Sequence, residues 1–153
     1  MARQVWVFLF LSLTFTPAFT QDKRALFYLD QGEKEFKLRK YNEALSNFEK
    51  YFLRDSSSQL AYYRTAQIYE SFRNTARASE FYRKTIRFDT VKVQYPGAYM
   101  YLGARALEDS RYEEAKKYLA TALENTNKNA MAYQQIQKQI RRADMGMKAM
   151  ANP

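Results

Sequence analysis

From residue 25 onward, apolar side chains recur at i, i+3, i+4 and i+7, the spacing that gathers them on one face of an α-helix. Three stretches repeat one another: YNEALSNFEKYF (Tyr41 to Phe52), TARASEFYRKTI (Thr75 to Ile86) and YEEAKKYLATAL (Tyr112 to Leu123). Each has alanine at its fourth position (Ala44, Ala78, Ala115) and a large residue four later (Phe48, Tyr82, Leu119). The alanines stand 34 and then 37 residues apart. Twelve positions before each lies another small residue, Gly32, Ala66 or Gly103, inside a second helix-like stretch. The pattern predicts three helix pairs.

A single helix pair cannot bury its own apolar face, so such pairs must stack. The small residues let helix backbones approach closely, and Phe48, Tyr82 and Leu119 fill the space between units. Most of the abundant Tyr and Phe therefore read as core. Ser56-Ser57-Ser58, Asp109-Ser110 and the stretch from Asn125 to Asn129 read as turns. Tyr95-Pro96-Gly97 closes a three-residue insertion within Phe88 to Tyr95, with Pro96 opening the next helix. Tyr133, Ile136 and Ile140 keep helical spacing and predict a terminal helix over 130–150 that shields the last pair from water.

On these residues the sequence resembles the tetratricopeptide repeat (TPR) family, whose unit of 34 residues is a helix–turn–helix with an aromatic–x₂–Leu–Gly–x₂–Tyr…Ala–x₃–Phe…Pro pattern. Repeat one (25–58) matches at Tyr28, Gly32, Tyr41, Ala44 and Phe48, and departs at Gln31, Glu35, Tyr51 and Ser56. Repeat two (59–92) matches at Tyr62, Ala66, Tyr69, Ala78 and Tyr82, and departs at Thr65 and Thr85. Repeat three (96–129) matches at Tyr99, Leu102, Gly103, Tyr112, Ala115 and Ala122, and departs at Ala106 and Leu119. No repeat carries the closing Pro. The resemblance implies an all-α, right-handed α-solenoid of three helix hairpins plus a capping helix, with the TPR domain filling 21–153.

The first twenty residues have a different character. Met1-Ala2-Arg3-Gln4 is a short segment with one positive side chain, Val5 to Leu13 is apolar, and Pro17-Ala18-Phe19-Thr20 follows. This is the layout of a secretory signal peptide over 1–20, cleaved after Thr20 or after Ala18. The apolar run falls short of the ~20 residues needed to span a bilayer. The expectation is an exported protein, periplasmic and peripheral to the outer membrane.

Composition removes most chemistry. Among 153 residues there is no Cys and no His. No disulfide, thiolate zinc site or thiol nucleophile can form, and the commonest general base and metal ligand is missing. No Gly-rich phosphate loop is present. The carboxylate clusters Asp30/Glu33/Glu35 and Glu108/Asp109/Glu113/Glu114 alternate with Lys and Arg and read as solvated faces with pairs such as Glu113–Lys117. The expectation is a non-enzyme with no metal, no cofactor and no small-molecule substrate. Export argues against nucleic acid as a partner.

The resemblance places the binding surface on the concave face, at the second, fifth, ninth and twelfth positions of each repeat. Here these are Leu26, Leu29, Glu33 and Phe36; Leu60, Tyr63, Gln67 and Glu70; and Gly97, Met100, Ala104 and Leu107. The candidate groove residues are Leu29, Phe36, Leu60, Tyr63, Arg64, Met100 and Leu107. Family members that hold a C-terminal carboxylate use Lys and Asn where this chain has Leu29, Glu33, Leu60 and Tyr63, and only Arg64 could stand in. The expected occupant is an apolar peptide or helix of a partner protein.

The net charge of +9 is uneven. Repeats one and three are balanced, whereas repeat two has seven basic residues against three acidic, and the tail from 130 has four against one. The candidate basic patch is Arg73, Arg77, Arg83, Lys84, Arg87, Arg141 and Arg142. It suits an acidic protein, anionic lipid or polysaccharide.

A narrower resemblance rests on Ala98-Tyr99-Met100-Tyr101-Leu102-Gly103, Tyr112-Glu113-Glu114-Ala115 and the basic closing helix. These look like the N-terminal TPR region of Bacteroidota envelope proteins that carry a β-propeller and an OmpA-like domain. That resemblance implies a protein-interaction scaffold in the cell envelope, in a type IX secretion or gliding machinery or a peptidoglycan-associated outer-membrane assembly. The alternative is a structural protein docking on anionic lipid or polysaccharide through repeat two and the tail.

Overall fold

The computed structural model describes residues 22–90 and 92–152; the expected signal segment lies outside them. The described residues form seven helices and no strand: α1 (Lys23–Lys37), α2 (Tyr41–Phe52), α3 (Gln59–Ser71), α4 (Thr75–Ile86), α5 (Pro96–Glu108), α6 (Tyr112–Glu124) and α7 (Met131–Ala151). The closest packing is within the hairpins α1–α2, α3–α4 and α5–α6, and α7 lies on α6 with a lighter contact to α5. The chain is an all-α stack of helix hairpins closed by a longer helix.

The repeated small residues sit where close approach demands them. Gly32, Ala44, Ala66, Ala78, Gly103 and Ala115 are all buried, as are Phe48, Tyr82 and Leu119. A methyl group added at Gly103 would lie 2.6 Å from Leu119 Cγ, and one at Gly32 would lie 2.7 Å from the Phe48 ring. Each glycine is thus the seat of the large residue facing it in its own hairpin. Gly146 plays the same part for Tyr112, where α7 crosses the start of α6.

Three clusters form the core, one near each hairpin. The first centres on Phe48, Tyr51 and Ile68, the second on Tyr82 and Leu102, and the third on Leu119, Ala122 and Ile136. Several positions that depart from the TPR pattern are still core, while Gln31 and Glu35 are half-buried and Ser56 is exposed. Tyr51, Thr65, Thr85 and Ala106 are all buried. Thr85 satisfies its hydroxyl by donating to Phe81 O at 2.9 Å, and Tyr51 Oη accepts from Ser58 N at 2.9 Å. Thr65 Oγ1 is buried with no partner among the described residues.

The turn inside every hairpin is the same. Arg39, Arg73 and Ser110 have φ of 59°, 56° and 58°, the left-handed conformation. The next amide reaches back to close the helix: Lys40 N to Glu35 O at 2.9 Å, Asn74 N to Tyr69 O at 2.9 Å and Arg111 N to Ala106 O at 2.8 Å. This is the Schellman closure, built without the glycine that usually serves it. Helix starts are capped by Asp22, Ser58 and Asn74, whose side chains accept from Arg24, Ala61 and Arg77 amides. Pro96 begins α5.

The insertion between α4 and α5 is organised by Asp89. Its Oδ1 accepts from Gln59 Nε2 at 2.7 Å and from Gln94 N at 3.2 Å, tying the loop to the start of α3. The expected Glu113–Lys117 pair does not form; Glu114 instead pairs with Arg111, and Lys116 with Asp144 of α7 at 2.7 Å. The geometry of the α6 N-terminus favours this choice, because Arg111 is the residue just before that helix and already holds Asp109 at 2.8 Å.

Candidate functional site

The resemblance assigns the concave surface to the first helix of each hairpin, α1, α3 and α5. At its centre, Arg64 Nε donates to Glu33 Oε1 at 2.9 Å, and Arg64 Nη1 donates to Gln67 Oε1 at 2.9 Å. The guanidinium lies 4.6 Å from the centroid of the Phe36 ring. The structure therefore joins Phe36 and Arg64, two of the expected groove residues, with Glu33 in one cluster between α1 and α3. Leu29 and Leu60 are half-buried, and Leu26 is 38% exposed, which leaves aliphatic surface beside this cluster.

Tyr63 is engaged differently. Its ring stacks on Tyr95 with centroids 4.5 Å apart and meets Tyr82 edge-on at 5.9 Å. A methyl group at Gly97 would lie 2.6 Å from the Tyr63 hydroxyl. Tyr63 thus reaches from α3 to the start of α5 and bridges repeats two and three. Burial pushes its hydroxyl pKa upward, and Tyr95 is raised in the same way. Tyr82 stacks near Tyr101 at 4.5 Å and donates to Glu70 Oε2 at 2.5 Å; burial first and the Glu70 carboxylate second hold its proton on strongly. Met100 and Leu107 pack against the third core cluster, which includes Ile136 of α7.

The expected groove set is therefore divided. Leu29 and Phe36 pack against the first core cluster, and with Leu60 and Arg64 they are half-buried on α1 and α3. Tyr63 is a cross-repeat strut. Met100 and Leu107 face the region that α7 shields. The Tyr95 contribution escaped the sequence reading, because Tyr95 lies in the insertion; its signal is the aromatic just before Pro96.

The candidate basic patch is divided as well. On α4, Glu80 takes Lys84 Nζ at 2.7 Å and Arg77 Nη1 at 3.1 Å, and the Lys84 bond followed by Arg77 holds the Glu80 carboxyl below its ordinary pKa. Lys84 Nζ also lies 4.6 Å from the Phe81 centroid. Arg73 sits in the left-handed turn, and Arg83 and Arg87 are exposed. Arg141 and Arg142 stand exposed on α7. Among the described residues no group of His, Cys, Asp and Glu could hold a metal ion, and no helix is long and apolar enough to cross a membrane.

Solved structures share this arrangement. The first TPR domain of Spaghetti (RPAP3), determined with the HSP90 peptide SRMEEVD, is similar over 84% of this chain and 96% of that one, with 23% identity and a TM-score of 0.62. The TPR2B domain of yeast Sti1, in a complex with an Hsp70 peptide, covers 80% of this chain and 97% of its own at 16% identity and a TM-score of 0.60. The fold is a tetratricopeptide repeat stack. MamA matches over 84% of this chain and 81% of its own, at 17% identity and a TM-score of 0.59. No protein-family model and no curated protein matches the sequence.

Proposed function

We propose that this TPR stack is an exported scaffold that holds a segment of a partner protein in its concave groove. The observation that carries the reading is the internal neutralisation of Arg64 by Glu33, with Gln67 accepting a second hydrogen bond, beside Leu26, Leu29 and Leu60. The groove offers aliphatic surface and no unpaired cation at its centre. That chemistry suits an apolar strand or the apolar face of a helix better than a terminal carboxylate. The RPAP3 and Sti1 domains were solved with peptides of HSP90 and Hsp70, which supports peptide holding as a use of this fold. Non-enzymatic binding also fits the lack of Cys and His.

The place of action belongs to the same proposal. The signal-like first twenty residues and the resemblance to Bacteroidota envelope proteins support a periplasmic scaffold peripheral to the outer membrane, serving secretion, gliding or a peptidoglycan-associated assembly. Site-specific photo-crosslinking in intact cells tests it. A crosslinker at Leu29 or Leu60 should capture one discrete envelope protein, and one at Leu53, the exposed residue just after α2, should not. Equal labelling from both positions, or capture of cytosolic proteins only, overturns the reading.

A second reading, docking on anionic lipid or polysaccharide, draws its support from the tail. Glu80 already compensates Arg77 and Lys84 in repeat two, whereas the cations of α7 have no such partner among the described residues.

A further inference from the structure

We propose that the outward face of α7 docks on an anionic phospholipid bilayer. The inference rests on the second reading above and uses none of the groove residues.

Met131, Lys138 and Met145 follow one another at seven-residue intervals, so they form one stripe along the helix. Gln134, Gln135, Arg141, Arg142 and Lys148 flank it, and all eight side chains are exposed. Met131 is 87% and Met145 62% exposed. The opposite face, with Ile136 and Ala143, is buried. Among the described residues the stack thus uses one side of α7 and leaves the other uncovered over about 25 Å.

The charge on that bare side has one sign. Lys138, Arg141, Arg142 and Lys148 take part in no ion pair among the described residues. The only acid of α7, Asp144, is held by Lys116 at 2.7 Å. A shallow depression of ≈ 520 Å³ runs between Lys138, Arg141, Arg142, Asp144, Met145 and Lys148.

Three occupants compete, and the face discriminates between them. A further helix hairpin would need a small residue for close approach. Gln137 stands 34 positions after Gly103, where the earlier units have Gly or Ala, and Lys138 lies in the middle of the stripe. A polysaccharide would meet the four cations and leave Met131 and Met145 in water. A bilayer uses both: headgroup phosphates meet Lys and Arg, and unbranched methionines enter the boundary with the acyl chains.

The test is vesicle co-sedimentation of the full-length chain with phosphatidylglycerol–phosphatidylcholine vesicles, pure phosphatidylcholine vesicles as reference, and dextran sulfate as a soluble polyanion. The apolar stretch 5–13 is common to every arm, so only differences between variants count. Arg141→Glu with Arg142→Glu should lower binding to the anionic vesicles at least about tenfold, since each basic residue acts near the surface. Met131→Gln with Met145→Gln should weaken vesicle binding severalfold and leave dextran sulfate binding unchanged. Arg83→Glu with Arg87→Glu, on α4, should have little effect. Circular dichroism melting confirms that each variant is folded. If the chain binds neither anionic vesicles nor dextran sulfate, the second reading falls and this proposal with it; if it binds dextran sulfate and ignores the vesicles, this proposal falls alone. If it binds them and the α7 reversal changes nothing, or the α4 reversal costs as much, the α7 face is overturned while the broader reading stands. A methionine pair that binds as the parent does overturns the bilayer as occupant.

Discussion

Arg64 Nε donates to Glu33 Oε1 at 2.9 Å, linking two residues 31 positions apart across the concave face. Their side chains are 25% and 16% exposed, so the pair is shielded from salt more than a surface bridge is. An incoming peptide carboxylate meets a guanidinium whose charge Glu33 already compensates. Glu33→Ala removes that competitor and should create a preference for a free C-terminus. A peptide such as SRMEEVD should bind the variant about three- to tenfold more tightly than its C-terminal amide, the scale of one net hydrogen bond. The parent protein should show less than about twofold discrimination. Fluorescence anisotropy with both peptides measures it, and identical discrimination in the two proteins contradicts the neutralisation argument.

Gly103 has backbone on one side of its missing side chain and Leu119 on the other. An added methyl lies 2.6 Å from Leu119 Cγ and 3.3 Å from Ala115 O. Leu119 is fully buried, so it has no free space to yield into. Gly103→Ala should destabilise by about 1–3 kcal/mol, even though alanine is the better helix former. Gly97→Ala meets only the end of a side chain, the Tyr63 hydroxyl at 2.6 Å. It should change stability by less than about 1 kcal/mol. Urea unfolding of both variants decides, and equal losses would mean that Leu119 repacks freely.

Gly32 and Gly103 were legible in the sequence because they recur with Ala66 in register with Ala44, Ala78 and Ala115, and periodic features announce themselves. The hairpin turns recur in register too, yet only Asp109-Ser110 read as a turn. Arg39 and Arg73 adopt the left-handed conformation without any glycine or asparagine to mark them. The cross-repeat features were not legible at all. Tyr63 meets Tyr95 from inside an insertion, and Arg64 meets Glu33 through the angle between α1 and α3, which no spacing along the chain encodes. The compensation within the basic patch was hidden for a simpler reason: net charge counts residues, and Glu80 holds two of them at once.

Thr65 offers a test of the core itself. It is 1% exposed, and its hydroxyl has no partner among the described residues. Valine has nearly the same shape and removes the unsatisfied group. Thr65→Val should stabilise by about 1 kcal/mol, read as a higher urea midpoint with an unchanged slope. A loss of stability would show that the hydroxyl is in fact paired.

Alkaline pH should expose the tyrosine lattice. Tyr82 is held protonated by burial and by its 2.5 Å bond to Glu70, and Tyr99 is raised to about 12 by burial and then by Asp89. In the unfolded chain both ionise near pH 10. Below that pH the two states bind these protons equally, and the tyrosines add no pH dependence. Above it the unfolded state loses protons that the folded state keeps, so stability falls as pH rises from about 10 toward 12. Tyr82→Phe has no proton to lose. It should be weaker at pH 8 by about 1 kcal/mol, for the missing hydrogen bond, and its stability should fall less steeply above pH 10. Urea unfolding at several pH values gives the slopes, and tyrosinate absorbance reports the ionisation directly. The same slope in both proteins would place the alkaline loss in other tyrosines and remove Tyr82 from the account.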